Sequence, residues 1–142
     1  MRKIEEADIP YLLLAGEQFW KQTNYYKYGE EYSFPKTKTI IQHCINNGTA
    51  LIDGGGFILI AYTELPFSET VSAHDIAFYV DSSDREFGVG TQLLEAAIEE
   101  AKKKGVRVFC MMNLESVSPE ISEGLYKNLG FEKSETTFTL AI

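Results

Sequence analysis

The sequence predicts an α/β fold in one domain, a mixed sheet with helices on both faces, and three observations carry that prediction. Ala73 to Val80 has apolar residues on both of its faces, as in a strand near the middle of a covered sheet. A long amphipathic stretch follows from Val89, and then a second apolar run, Val106 to Met112. Strand, helix, strand at this spacing is a right-handed parallel crossover. Two β-rich runs, Thr49 to Ile52 and Phe57 to Thr63, flank Asp53-Gly54-Gly55-Gly56. That is a hairpin signal, because positive φ costs little only for glycine and, to a lesser extent, Asp or Asn. Neither repeat, low-complexity tract nor linker divides the 142 residues, so residues 1–142 are expected to form a single domain.

The remaining elements follow in order. Met1 to Ile4 is a short strand. Asp8 caps a helix whose first turn tolerates Pro10, and Ile9, Leu12, Leu13, Gly16 and Phe19 recur at helical spacing to about Lys21. Phe19 to Phe34 is rich in aromatics: Trp20, Tyr25, Tyr26, Tyr28 and Tyr32. A second helix runs from about Pro35 to Asn46 with Ile40, Ile41, Cys44 and Ile45 inward, and Gly48 is expected to close it in the left-handed conformation. In the long helix Val89, Leu93, Leu94, Ala97, Ile98 and Ala101 make one stripe, while Glu99 and Glu100 each precede a lysine by four residues. Gly105 ends it. Ser118 and Pro119 open a short helix to about Leu129, which Gly130 terminates. Phe131 to Ile142 alternates as one or two final antiparallel strands would.

Composition narrows the function. The hydrophobic share of 44% and charged share of 24% fit a soluble globular chain, and no run approaches the ~20 apolar residues of a bilayer span. The charged start, Met1-Arg2-Lys3-Ile4-Glu5-Glu6, lacks the apolar stretch of a secretory signal, so a cytoplasmic location is expected. Cys44 and Cys110, the two cysteines, sit in apolar settings without metal spacing and read as reduced, buried thiols. A formal charge of −8 argues against a nucleic-acid partner and leaves room for a cationic substrate.

The loop Arg85-Glu86-Phe87-Gly88-Val89-Gly90-Thr91 joins a buried strand to the long helix. Anions bind at such a junction, because the first helical amides lack internal partners and the helix dipole is positive there. Gly88 and Gly90 let a pyrophosphate approach the backbone, Thr91 adds a hydroxyl and Arg85 a positive charge. No lysine-serine pair completes a nucleoside-triphosphate loop, and the third glycine of a dinucleotide fingerprint is missing. Alone, the loop also reads as an ordinary glycine turn into a helix. The hairpin glycines at 54–56 precede no helix and read as a turn, not a phosphate cradle.

Taken together, Phe78-Tyr79-Val80-Asp81, Arg85-x-x-Gly88-x-Gly90 and Leu125-Tyr126-Lys127-Asn128-Leu129-Gly130-Phe131 resemble the GNAT superfamily of N-acetyltransferases. Ala73 to Phe131 carries the resemblance; residues 1–72 match in element order only. It implies a mixed, mostly antiparallel central sheet with one parallel strand–helix–strand crossover, and acetyl-coenzyme A (acetyl-CoA) as cosubstrate. The amides of Phe87, Gly88, Val89, Gly90 and Thr91 would grip the pyrophosphate. The pantetheine arm would lie where the strand ending Phe78, Tyr79 and Val80 splays from Val106 to Met112. Glu86 and Phe87 depart from the pattern, leaving Arg85 as the one local positive side chain. Pro119 stands where relatives carry an asparagine, for which Asn113 or Ser118 are the substitutes.

For catalysis the resemblance implies Tyr126 as general acid to the departing thiolate, a core tyrosine being the alternative. His74 matches the position of a base glutamate and titrates in the useful range; a surface histidine, or a water chain without a single base, are the alternatives. Asp75 faces the opposite side of the strand from His74 by alternation. The aromatic stretch Phe19 to Phe34 falls where relatives form part of the acceptor pocket, with Glu30 and Glu31 as partners for a cationic acceptor; filling space between two helices is the other role open to it. The leading expectation is acetyl transfer to a primary amine of a small molecule or protein. A catalytically weak or inactive acyl-CoA-binding module is the second, and an interaction protein the third. Dimers are common among such relatives.

Overall fold

Apolar residues of successive strands settle alternately on two faces of one sheet, and each face takes two helices. The computed structural model describes residues 1–29 and 31–142. Five strands lie in the order β1 (Arg2–Lys3), β2 (Thr49–Asp53), β3 (Gly56–Glu64), β4 (Val71–Val80) and β5 (Val108–Cys110). Neighbours are antiparallel except β4 and β5, which run parallel around the crossover helix α3 (Val89–Lys103). In β3, Phe57 and Leu59 point toward α1 (Ile9–Gln22) and α2 (Phe34–Asn47) and pack with Leu12, Ile41 and Cys44. Ile58 and Ile60 point the other way, onto Leu93, Leu94 and Ala97 of α3 and Tyr126 of α4 (Pro119–Asn128). Each large side chain so buried contributes about 1.5–3 kcal/mol. No described helix is long and apolar enough to cross a membrane.

The hairpin turn ties down the far end of β4. Gly54 has φ +54°, Asp53 pairs with Gly56, and the Gly55 amide donates to Asp84 Oδ2 at 2.9 Å. The Asp81 amide in turn donates to the Gly55 carbonyl at 3.1 Å. Both acidic side chains next to the Arg85–Thr91 loop are thereby held, Asp81 by the Tyr79 hydroxyl at 2.6 Å and Asp84 by Gly55.

Several expectations are corrected. Asp8 stands at the N-cap of α1 without capping it; its carboxylate takes two bonds of 2.7 Å from Arg2 and one of 2.8 Å from the Glu5 amide, which lowers it to about 2. Gly48 is not left-handed (φ −121°). It must be glycine because a Cβ there would lie 2.1 Å from the Ile60 carbonyl oxygen, where α2 turns directly into β2 against β3. Gly48→Ala should therefore lower the unfolding free energy by about 2–3 kcal/mol. A denaturant titration checks this, and an unchanged midpoint would mean that β3 yields freely. Ser118 precedes α4 with φ +40° and no side-chain cap. The ion pairs of α3 are Lys102–Glu99 and Lys103–Glu100, three residues apart and not four.

The strand expected over Val106 to Met112 is shorter and less buried, because β5 is the last strand and pairs with β4 through Cys110 only. Phe131 to Ile142 forms no strand; Phe138 and Leu140 are 93% and 83% exposed. The alternation of that segment is real, but no sheet edge pairs with it. Cys44 and Cys110 are free thiols, the first buried and pushed up to about 11 by that burial, the second only half-buried.

Candidate active site

The parallel pair β4/β5 holds register for three residues, Ser72 with Val108, Ala73 with Phe109 and His74 with Cys110, and then opens. Asp75 stands at the fork. Its carboxylate Oδ1 accepts the Met112 amide at 2.9 Å, bridging the two chains where direct pairing stops. Tyr126 donates from Oη to the Met112 carbonyl at 3.0 Å, so one residue of the diverging chain is held by both side chains. The fork is the inner end of a cavity of about 240 Å³ that reaches out between α1, the aromatic segment and α2.

Asp75 is in this position because of an irregularity in β4. Ile60 pairs with Asp75 and Leu59 with Ala77, so Ile76 is an extra residue on β4, a bulge. Ala73 packs on the α3 side, whereas Ala77 and Tyr79 pack on the α1–α2 side. Equal parity on opposite faces means the alternation breaks at the bulge, and Asp75 is turned into the fork. It is 7% exposed, and burial pushes its carboxyl up to about 7 against the pull of hydrogen bonds from the Met112 amide and its own. A group titrating there can take a proton from an ammonium near neutral pH.

Tyr126 lies in the last turn of α4, and the end of that helix explains the Gly130-Phe131 signature. Gly130 turns left-handed at φ +90°, the Phe131 amide donates back to the Tyr126 carbonyl at 3.0 Å, and the Phe131 ring comes to rest 5.7 Å from the Tyr126 ring and 6.1 Å from Phe109. The phenol is wedged in place. Burial, and after it the Asp75 carboxylate, push it above its ordinary range.

The loop before α3 makes a short 3-10 turn at Arg85–Phe87 and enters the helix at Gly88. Gly88 has φ +75°, and a Cβ there would meet nothing within 4 Å, so the space above it is open. No side chain caps α3, and its first carbonyl-bound amide is Gln92 to Gly88 at 3.1 Å. The amides of Gly88 to Thr91 have no intrahelical partner by helix geometry, whereas the Phe87 amide, expected to join them, donates to the Asp84 carbonyl at 3.2 Å. Gly90 differs: a Cβ there would make ordinary contacts, 3.4 Å from Phe78 and 3.5 Å from Val80, so it faces β4 without packing demanding glycine. An acyl-CoA pyrophosphate fits the uncapped, open helix end, and the pantetheine arm fits the fork with its unpaired strand edges.

The other expected site residues are spread around these two features. Phe78 lines the cavity, Tyr79 points to the α1 side against Phe19 at 6.2 Å, and the Val80 carbonyl accepts Arg85 Nε at 2.9 Å. Arg85, Glu86 and Phe87 are exposed, Val89 and Thr91 half-buried. Asn113 donates from Nδ2 to the Pro119 carbonyl at 3.1 Å, tying the diverging chain to the start of α4. His74 does not line the cavity; its Nε2 is 2.8 Å from Ser72 Oγ. Of the aromatic segment, Phe19, Trp20, Tyr25 and Tyr32 line the cavity, and Tyr26 meets Trp20 edge-to-face at 5.0 Å. Gly16 makes room for Tyr32, whose hydroxyl donates to the Leu13 carbonyl at 3.0 Å. Glu31 is exposed and off the lining, and Glu30 lies outside the described residues.

No curated protein matches the chain in sequence. Solved structures do match in fold over almost the whole length. A transcriptional regulator from Bacillus halodurans is 19% identical, with 99% of this chain and 97% of that one covered at a TM-score of 0.73. A predicted acetyltransferase from Clostridium acetobutylicum, solved with acetyl-CoA, is 17% identical, with 98% and 93% covered at 0.68. An aminoglycoside acetyltransferase from an uncultured soil metagenomic sample, solved with sisomicin, is 15% identical, with 99% and 94% covered at 0.67. The family model described as acetyltransferase (GNAT) domain matches residues 43–133, from the end of α2 to just past the Gly130-Phe131 turn. That span is well over half of the chain, and the chain belongs to the GNAT acetyltransferase family.

Proposed function

We propose that the chain is an acetyl-CoA-dependent N-acetyltransferase acting on a primary amine. The observation that carries this is the fork itself: a buried carboxylate and a buried phenol hold the point where β4 and β5 part, between the open N-terminus of α3 and an aromatic-walled cavity. Family membership and the neighbours solved with acetyl-CoA and with an aminoglycoside support the same reaction.

Acetyl-CoA, when bound, supplies an activated acetyl thioester. The amides of Gly88 to Thr91 would hold its pyrophosphate, with Arg85 at the mouth, the Phe87 amide being taken by the Asp84 carbonyl at 3.2 Å, and the edges of Phe78 to Val80 and of the chain after Cys110 would flank the pantetheine arm. Asn113, through Pro119, keeps that second edge in place. An amine arrives as ammonium at neutral pH, and Asp75, poised near 7, accepts its proton. The nitrogen then bonds the carbonyl carbon, the carbon–sulfur bond breaks, and the second nitrogen proton passes to the thiolate, which leaves as the free thiol. Tyr126 meets the leaving sulfur. Its phenol lies above a thiol's usual value of about 8.5, so it acts by turning its one O–H from the Met112 carbonyl to the developing charge, as a hydrogen bond and not by complete proton transfer. Asp75 takes the role of base in place of His74, which is engaged with Ser72 away from the cavity.

Thr91→Glu tests the cosubstrate site. A carboxylate in the first turn of α3 suits the helix dipole, so the free protein should be at least as stable. The same charge opposes a pyrophosphate, and the rise in melting temperature on adding acetyl-CoA should disappear. A full rise in this variant would place the pyrophosphate elsewhere.

A further inference from the structure

We infer that the acceptor is a small monoamine with an aromatic or branched apolar body, its ammonium drawn to Asp75 and its body held by the cavity wall. The inference rests on the acetyl-transfer function proposed above and gives it a substrate class.

The wall is apolar almost throughout: Phe19, Trp20, Tyr32, Ile40, Phe57 and Phe78 face the cavity from α1, the aromatic segment, α2, β3 and β4. Among the described residues lining it, Asp75 carries the sole carboxyl group, and it is 7% exposed. Thr23, Thr37 and Ser122 add neutral hydroxyls. Such a site offers one place for one positive charge. A polyamine or an aminoglycoside would bring further ammonium groups against this wall, where they lose water and gain no partner. An amino acid would bring its carboxylate beside Asp75. A single amine on a short arm from a ring matches both ends, since ring faces prefer to bury against aromatic walls. Size agrees: about 240 Å³ lies below the usual range of about 300–1,000 Å³ for pockets that hold drug-sized ligands. The overall charge of −8 attracts cations of every kind, so the wall, not the field, selects among them.

The chain has a single tryptophan, Trp20, and it lines this cavity. Its fluorescence therefore reports occupancy without turnover. Titration with 2-phenylethylamine should give a saturable change that spermidine and phenylalanine do not give, and that Asp75→Asn loses. In acetyl transfer, kcat/KM for 2-phenylethylamine should exceed that for spermidine or sisomicin by at least about 30-fold, the value of burying one ring-sized side chain. Thr37→Asp, which adds a second carboxylate to the wall, should cut that ratio at least tenfold. Better acetylation of spermidine or sisomicin overturns the substrate class while leaving acetyl transfer standing. A saturable 2-phenylethylamine signal with no acetylation of any amine supports the pocket assignment and overturns the transfer reaction. No fluorescence change with 2-phenylethylamine overturns the assignment itself.

Discussion

Asp75→Asn is expected to lower kcat/KM for acetyl transfer by about 1,000-fold, within the range that one acid–base group supplies. Asparagine keeps an oxygen for the Met112 amide, so the fork should hold its shape while losing the only group there that accepts a proton near neutrality. The pH profile identifies the residue. In the unaltered protein the rate should rise with pH through about 7, as the buried carboxyl ionises, and then level off. That limb should be the same for amines of different basicity and should vanish in the variant. Stability should move in the opposite sense. A carboxyl raised from 3.8 to about 7 is bound to its proton more tightly in the folded chain, so its contribution is present below about pH 4 and is lost as pH rises to about 7. Asp75→Asn should thus melt several degrees higher than the parent at pH 8, with the gap closing in acid. A variant that loses activity but gains no stability at pH 8 would mean that the carboxylate is not desolvated as the geometry implies.

Tyr126→Phe is expected to lower kcat by about 100-fold with little change in KM for acetyl-CoA. The ring stays packed on Phe131, since only the hydroxyl is removed. A hydrogen bond that matters at the leaving sulfur is made in the transition state, so its loss appears in the maximal rate and not in ground-state binding. Before the reaction that one O–H donates to the Met112 carbonyl. If that contact alone explained Tyr126, the variant would lose stability and keep its turnover. Undiminished kcat would return Tyr126 to a purely structural role.

The turn into the long helix was legible because local chemistry defines it: Gly88 adopts a positive φ, which glycine signals directly. The last helix was legible for the same reason, with Gly130 reversing the chain so that Phe131 can cover Tyr126. Asp75 was not, because the resemblance pointed to its neighbour His74; alternation does set the two on opposite faces, and the bulge at Ile76 that follows Asp75 could not be foreseen. A bulge arises from the pairing of two strands and leaves no mark in one of them. The C-terminal alternation misled for a related reason, since a strand needs an edge to pair with and Phe138 and Leu140 have found none. Gly48 was identified as special but for the wrong cause; contact with the Ile60 carbonyl, fixed by tertiary packing, determines it. Of the aromatic segment, Trp20, Tyr25 and Tyr32 line the cavity, while Glu31 is exposed and not among the lining residues.

The most direct test of the account is a stoichiometric one, in which the purified chain is incubated with acetyl-CoA and 2-phenylethylamine, and free thiol and N-acetylated amine are measured together. The account predicts that the two appear in equal amounts, at a rate that depends on Asp75 and Tyr126. Acetyl-CoA that binds but yields neither product with this or any other amine, or thiol released without acetylated amine, would contradict it.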